Sequence, residues 1–294
     1  MEHASHILLH ALEDTLVLVP FLLVTYLLME ALEGMAGERA SRAVQKAGHA
    51  GPLIGGLLGV VPQCGFSAAA ATLWSGRVIS VGTLVAVFLS TSDELLPVFL
   101  AEGAPVDLLV RVLAAKALVA VAAGMLLDAA LRRLRRAGDG HLHVHELCER
   151  EHCGCDHEHG HGWLGVLRSA LVHTLQVTAF IYLVTLLVDG TVELVGEDAL
   201  AAFMAGQPVF SVFAAALVGL IPNCAASVVV AELYLDGTLG AAALMAGSLV
   251  SAGVGMLVLF RTNARVRQSL AVVAFMYAVG VACGLAMLAL GLSF

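Results

Sequence analysis

The sequence predicts an all-α polytopic membrane protein built from two inverted-topology repeats, whose proline-broken or re-entrant helices meet near the bilayer midplane. Three observations predict it. The chain of 294 residues is 60% hydrophobic and only 13% charged, with mean hydropathy +0.92, where a soluble domain carries about 25% charged residues. Apolar runs near the roughly 20 residues that cross a bilayer core recur along its whole length. A proline-cysteine motif then occurs twice at a fixed shift. The first observation excludes an ordinary soluble enzyme. The formal net charge of −8 resides in loops between the runs, so nucleic acid is excluded as a partner and the lipid bilayer is the expected one.

The first ten residues lack the basic stretch of a signal peptide, and the following run from 15 to 32 is too long for a cleaved apolar region. It is expected to be the first span. Hydropathy gives runs near 12 to 33, from 51 to 101 with a break at Ser75 to Val78, and near 107 to 131. After a polar loop at 132 to 163 come runs at 164 to 188, at 208 to 260 with a break at Asp236 and Gly237, and at 269 to 292. The domains are therefore a first transmembrane repeat (1 to 138), a His/Cys-rich loop (139 to 162) and a second transmembrane repeat (163 to 294).

Gly59-Val60-Val61-Pro62-Gln63-Cys64-Gly65-Phe66-Ser67 aligns with Gly219-Leu220-Ile221-Pro222-Asn223-Cys224-Ala225-Ala226-Ser227 at a shift of 160 residues. Matched Pro, Cys and Ser argue for duplication over the chance likeness of apolar helices. The basic clusters Arg39, Arg42 and Lys46, then Arg132 to Arg136, then Arg261 to Arg267, belong on the cytoplasmic side. The acidic set Glu102, Asp107, Asp189, Glu193, Glu197 and Asp198 belongs outside. Two plain crossings in 51 to 101 would put Lys46 and Arg132 on opposite sides. An odd number of crossings, through a re-entrant segment or three short spans, repairs this. It also inverts the second copy, puts both termini outside and leaves the central loop in the cytoplasm. Arg77 fits this scheme poorly.

Proline removes a helix hydrogen bond, so both Pro62 and Pro222 should break their segments at membrane depth. Freed backbone groups are tolerable there only against protein or a wet cavity. Gln63, Cys64, Ser67, Asn223, Cys224 and Ser227 would converge as ligands for a dehydrated metal ion; the plainer alternative is two kinks with small buried cysteines. Ser90, Thr91, Ser92, Asp93 and Glu94 interrupt the next run. Carboxylates within a span usually face the protein interior or a pathway, which makes Asp93 and Glu94 candidates for a cation ligand or proton carrier, although the same residues make an ordinary helix start. Lys116, mid-span, needs a partner that Asp93 or Glu94 would supply, unless it snorkels to an interface. Competition between metal and Lys116 for one carboxylate would couple transport to protonation. Asp14 and His173 occupy matching places and, with Glu232, whose place in the first copy is taken by the non-acidic Thr72, complete the candidate coupling set.

The central loop carries His141, His143, His145, Cys148, His152, Cys153, Cys155, His157, His159 and His161, ten potential ligands within 21 residues. Imidazole and thiolate at this density suit zinc, copper or nickel, and a metal-collecting loop is favoured over a solvated linker.

Gly59 to Ala71, Val87 to Glu94 and Ile221 to Ser227 resemble the ten-transmembrane heavy-metal exporter family, whose members are labelled manganese transporters or arsenic efflux proteins. The resemblance covers both copies. It implies ten spans and export of a heavy metal; the His/Cys loop is not carried over from it. The resulting expectation is a multi-pass permease of the bacterial inner membrane, with no enzymatic role, exporting a divalent ion such as manganese by alternating access. An arsenite or organoarsenical permease is the first alternative, and a membrane metal sensor acting through the central loop is the second. No permanently bound cofactor is called for, and no phosphate-loop motif is present, so energy would come from an ion gradient or a separate partner. The oligomeric state is left open, a homo-oligomer included.

Overall fold

The computed structural model describes residues 50–61, 64–92, 95–133, 207–222 and 224–294, with scattered helical residues between 12 and 27 and between 167 and 186. For Cys64, Pro97, Cys224 and Ala225 it describes the backbone alone. Among the described residues every regular element is an α-helix. In chain order these are α1 (Gly51–Leu58), α2 (Cys64–Ser75), α3 (Val81–Ser90), α4 (Leu95–Ala101), α5 (Val106–Arg133), α6 (Pro208–Gly219), α7 (Cys224–Leu235), α8 (Ala241–Val250), α9 (Val254–Thr262) and α10 (Val266–Leu290).

The shift of 160 seen in the sequence reappears as matched helix boundaries, Cys64 with Cys224, Val81 with Ala241 and Val106 with Val266. Turn geometry follows the same register. The Arg77 amide donates to Trp74 O and that of Gly237 to Tyr234 O, and each of the two residues has a positive φ, 60° and 76°. A left-handed conformation costs a residue with a Cβ roughly 1–2 kcal/mol. Gly237 escapes that cost and Arg77 does not. An added Cβ at Gly237 meets nothing within 4 Å, so Gly237→Ala should lower stability by about 1 kcal/mol through backbone conformation alone. Thermal unfolding of the purified variant in detergent checks this; an unchanged midpoint would refute it.

Close approaches fix the direction of each helix. Glycines let α1 lie along α3: Cβ atoms built on Gly51, Gly55 and Gly59 would strike, in order, Thr83, then Val87 with Thr83, then Ser90. The two helices are therefore parallel. α3 starts beside Asp128 and Gly124, near the end of α5 that carries Arg132 and Arg133, and finishes at Lys116. Only residues 76 to 80 separate α2 from the start of α3. Consequently α1 runs inward and α2 returns to the Arg132 end: the pair is a re-entrant hairpin. The pair begins and ends at one end of the helix bundle, which agrees with the re-entrant reading of this run. It also accounts for Arg77, which lies in the α2–α3 turn at the same end as Arg132.

The second copy approaches from the opposite end. Gly280 and Gly284 of α10 pack against α8, the first facing Val250 and Ala246 O, the second Ala242 O and Val212. α8 therefore starts near the far end of α10 and points toward the Arg132 end. The ends of the copies also interlock: Ser75 Oγ lies 2.8 Å from Thr262 Oγ1 at the Arg132 end, and Phe99 stacks on Tyr234, with centroids 6.2 Å apart, at the other.

Among the described residues three apolar segments are long enough to cross a membrane by length and composition: α5, the Ala241–Thr262 stretch that holds α8 and α9, and α10. The middle one is not continuous, because Ser251 to Gly253 interrupt it and Gly253 takes φ 49°, ψ −138°. Its most apolar window is 89% buried, against 28% for α5 and 33% for α10. Of these three described segments the broken helix is thus the innermost, and the unbroken ones expose apolar residues such as Val110, Leu118, Leu126 and Leu270.

Candidate functional site

Four chain breaks converge at one depth. α1 ends with Gly59 against Ser90 and Val87 O. α6 ends with Gly219 against the Gly247 backbone. α3 and α8 end, carboxyl end toward carboxyl end, on one side chain: Lys116 Nζ donates to Thr91 O at 2.5 Å and to Ser248 O at 2.8 Å. Lys116 is 1% exposed. It stands ten residues into α5, about 15 Å along its axis at 1.5 Å per residue, which is half the roughly 30 Å of a bilayer core.

A buried ammonium is costly unless its charge and protons are satisfied. Here two backbone carbonyls take two of its three protons, and the helix ends that carry them contribute charge. A helix carboxyl end carries roughly −0.5 of an elementary charge, so two of them offset about one positive charge. Snorkelling of Lys116 to an interface is excluded by its burial and by its two carbonyl partners. Asp93 and Glu94, its expected partners, lie outside the described residues.

The hydroxyls of the break are local caps. Ser90 Oγ donates to Ala86 O at 2.8 Å, Thr91 Oγ1 to Val87 O at 2.8 Å and Ser92 Oγ to Ser90 O at 3.0 Å. Val87 O already accepts the Thr91 amide at 3.0 Å, so the Ser90 and Thr91 bonds chiefly satisfy the buried hydroxyls themselves, and only the Ser92 bond reaches a carbonyl at the very end of the helix. Each donating hydroxyl keeps its oxygen lone pairs as acceptors for a cation. All three residues are buried.

Ser67 and Ser227 come to the second break from different helices. A Cβ on Gly255 would lie 2.5 Å from Ser67 Cβ, and Ser227 Oγ is hydrogen-bonded to Ser251 Oγ. Ser67 thus lies against Gly255 and Ser227 against Ser251, the two sides of the same break. The side chains of Gln63, Cys64, Asn223 and Cys224, together with Asp14, His173 and the whole loop from His141 to His161, lie outside the described residues. Glu232 is exposed on α7, more than a helical turn beyond Ser227. The matching Thr72 is buried and donates to Ala68 O at 3.0 Å.

Two residues of this framework were not singled out in the sequence. Ser248 contributes only its backbone, which has no side-chain signature. Asp128, 6% exposed, accepts from Gly82 N at 2.8 Å and from Ser80 Oγ at 2.6 Å, pinning the start of α3. An acid inside an apolar run was its signal, obscured by the adjacent arginines.

Among the described residues no three His, Cys, Asp or Glu side chains gather as a metal site. What they offer a cation is oxygen, from carbonyls and hydroxyls, which suits harder ions. The model of the 10TM heavy-metal exporter family matches residues 3–174, more than half of the sequence. The chain belongs to this family. No curated protein and no solved structure matches it. The match is narrower than the motif resemblance, which reached Ser227. As a member of a heavy-metal exporter family the chain falls among transporters, which are not an enzyme class. Its several apolar helices agree with a multi-pass membrane protein.

Proposed function

We propose that the chain carries a divalent heavy-metal ion, manganese first, out of the cytoplasm by alternating access between two inverted repeats. One observation carries the reading: two broken helices enter from opposite ends and stop, carboxyl end toward carboxyl end, on a buried positive charge at half-depth. Broken helices that meet so are the usual midplane ion sites of inverted-repeat transporters. The exported ion takes its oxygen ligands from this junction, with Asp93 and Glu94, next in the chain after Ser92, adding the formal charge. The Arg132 end faces the cytoplasm by the basic-loop rule, which places the loop at 139 to 162 there as a collector of metal. The membrane is the bacterial inner membrane.

Uptake into everted vesicles, over a panel of manganese, zinc, nickel, cobalt and arsenite, tests the reading. Manganese should accumulate, and a chain lacking residues 139 to 161 should still accumulate it. Movement of arsenite alone would refute the divalent assignment. Loss of all transport on deleting the loop, with expression intact, would favour a role centred on the loop.

A further inference from the structure

We infer that the Lys116 ammonium is a resident cation that closes the junction until the exported ion displaces it from the carbonyls of Thr91 and Ser248. The inference rests on the export reading and adds the order of events at the same site.

Three observations carry it. Lys116 and Thr91 belong to the first copy and Ser248 to the second, so one side chain ties the two copies together across the line on which they must part. The tie is a charge on backbone carbonyls, acceptors that a metal ion can also use. The matching position in the second copy is Met276, fully buried but with no charge to offer, and Ser251-Ala252-Gly253 there contains no acid. The scaffold was duplicated, whereas the charges were kept in one copy. A tie needed only for folding would have no reason to be a cation placed at the end of each broken helix.

Ammonium and divalent ion cannot share the pair of carbonyls, because two like charges within one coordination shell repel strongly when water is excluded. Arrival of the metal therefore frees Lys116, and loss of the tie lets the copies move apart. Departure of the metal on the far side restores the ammonium, so the empty junction is never left with uncompensated helix ends. A free monovalent ion is denied the place by the tethered one.

The test uses the full chain in detergent, with manganese as the probe. Reductive methylation followed by mass spectrometry reads Lys116 against Lys46, the chain's other lysine. Without metal Lys116 should resist modification; saturating manganese should raise its modification severalfold, while magnesium at the same concentration should not. Lys116→Met, which installs the residue of the second copy, should bind manganese about tenfold more tightly, as removal of a competitor requires. Unchanged protection of Lys116 in the presence of bound manganese overturns the displacement, as does weaker binding by a folded Lys116→Met chain. Absence of any manganese binding by the unmodified chain defeats the export reading and this inference with it. If the Met variant does not fold, the methylation of the unmodified chain decides alone.

Discussion

Asp93→Asn combined with Glu94→Gln should abolish manganese export, whereas Cys64→Ser combined with Cys224→Ser should leave manganese moving and shift selectivity toward harder ions. The argument is a charge balance. The two helix ends at the junction supply roughly one negative charge between them, which matches Lys116 but not a divalent ion stripped of water. Amides and hydroxyls add dipoles without formal charge. Thiols add charge only when deprotonated, and burial in apolar surroundings opposes that unless the metal itself drives it. A unit charge pair at 4 Å is worth about 4 kcal/mol at an effective dielectric of about 20, or on the order of a thousandfold in affinity. Removing both carboxylates thus takes binding out of the working range. Vesicle uptake of manganese and arsenite by both double variants measures the ranking. Arsenical transport would give the reverse order, with the thiol variant dead and the carboxamide variant active; undiminished manganese uptake by the carboxamide variant would end the cation-site assignment.

The repeat and its register were legible because proline, cysteine and serine recur at one spacing in a background of interchangeable aliphatics. Hydropathy could not choose between a re-entrant hairpin and three short crossings, since α1 with eight residues and α2 with twelve read as one apolar run. The contacts that agree with the hairpin are three-dimensional, chiefly Gly51 beside Thr83 and Gly59 beside Ser90. Arg77 was awkward as a mid-run charge and is unremarkable in a turn at the arginine-rich end, in the left-handed conformation that its counterpart Gly237 signalled. Lys116 stood out as a lone ammonium within a span. Its partners did not, because every residue has a carbonyl and only the fold says which carbonyls are left over at a helix end.

Asp128→Ala should be the most destabilising single change at the start of α3, by about 3 kcal/mol. The Asp128 carboxylate takes one bond from the Gly82 amide and one from the Ser80 hydroxyl, and Ser80 in turn accepts from Thr83 N at 3.1 Å. Three donors at the amino end of α3 are thereby organised by one acid, which also sits where the helix dipole favours negative charge. Hydrogen bonds to a charged group contribute about 1.5–3 kcal/mol each, and buried donors left without a partner cost more than the mean bond. The full sum is not expected, because the variant no longer has to bury a carboxylate. Asp128→Asn keeps one acceptor and should lose roughly half as much. The second copy shows what replaces the arrangement: Leu288 stands at the matching position and Gly240, without a side-chain cap, begins α8. Asp128→Leu should therefore fall between the other two variants, recovering apolar packing while leaving Gly82 and Ser80 unsatisfied. The loss reaches the site, because the far end of α3 is the one that holds Thr91 on Lys116. Denaturant unfolding of the purified chains in mild detergent gives the order Ala, Leu, Asn from largest loss to smallest, and an Asp128→Ala chain that unfolds like the unmodified one would show that α3 is anchored by something else.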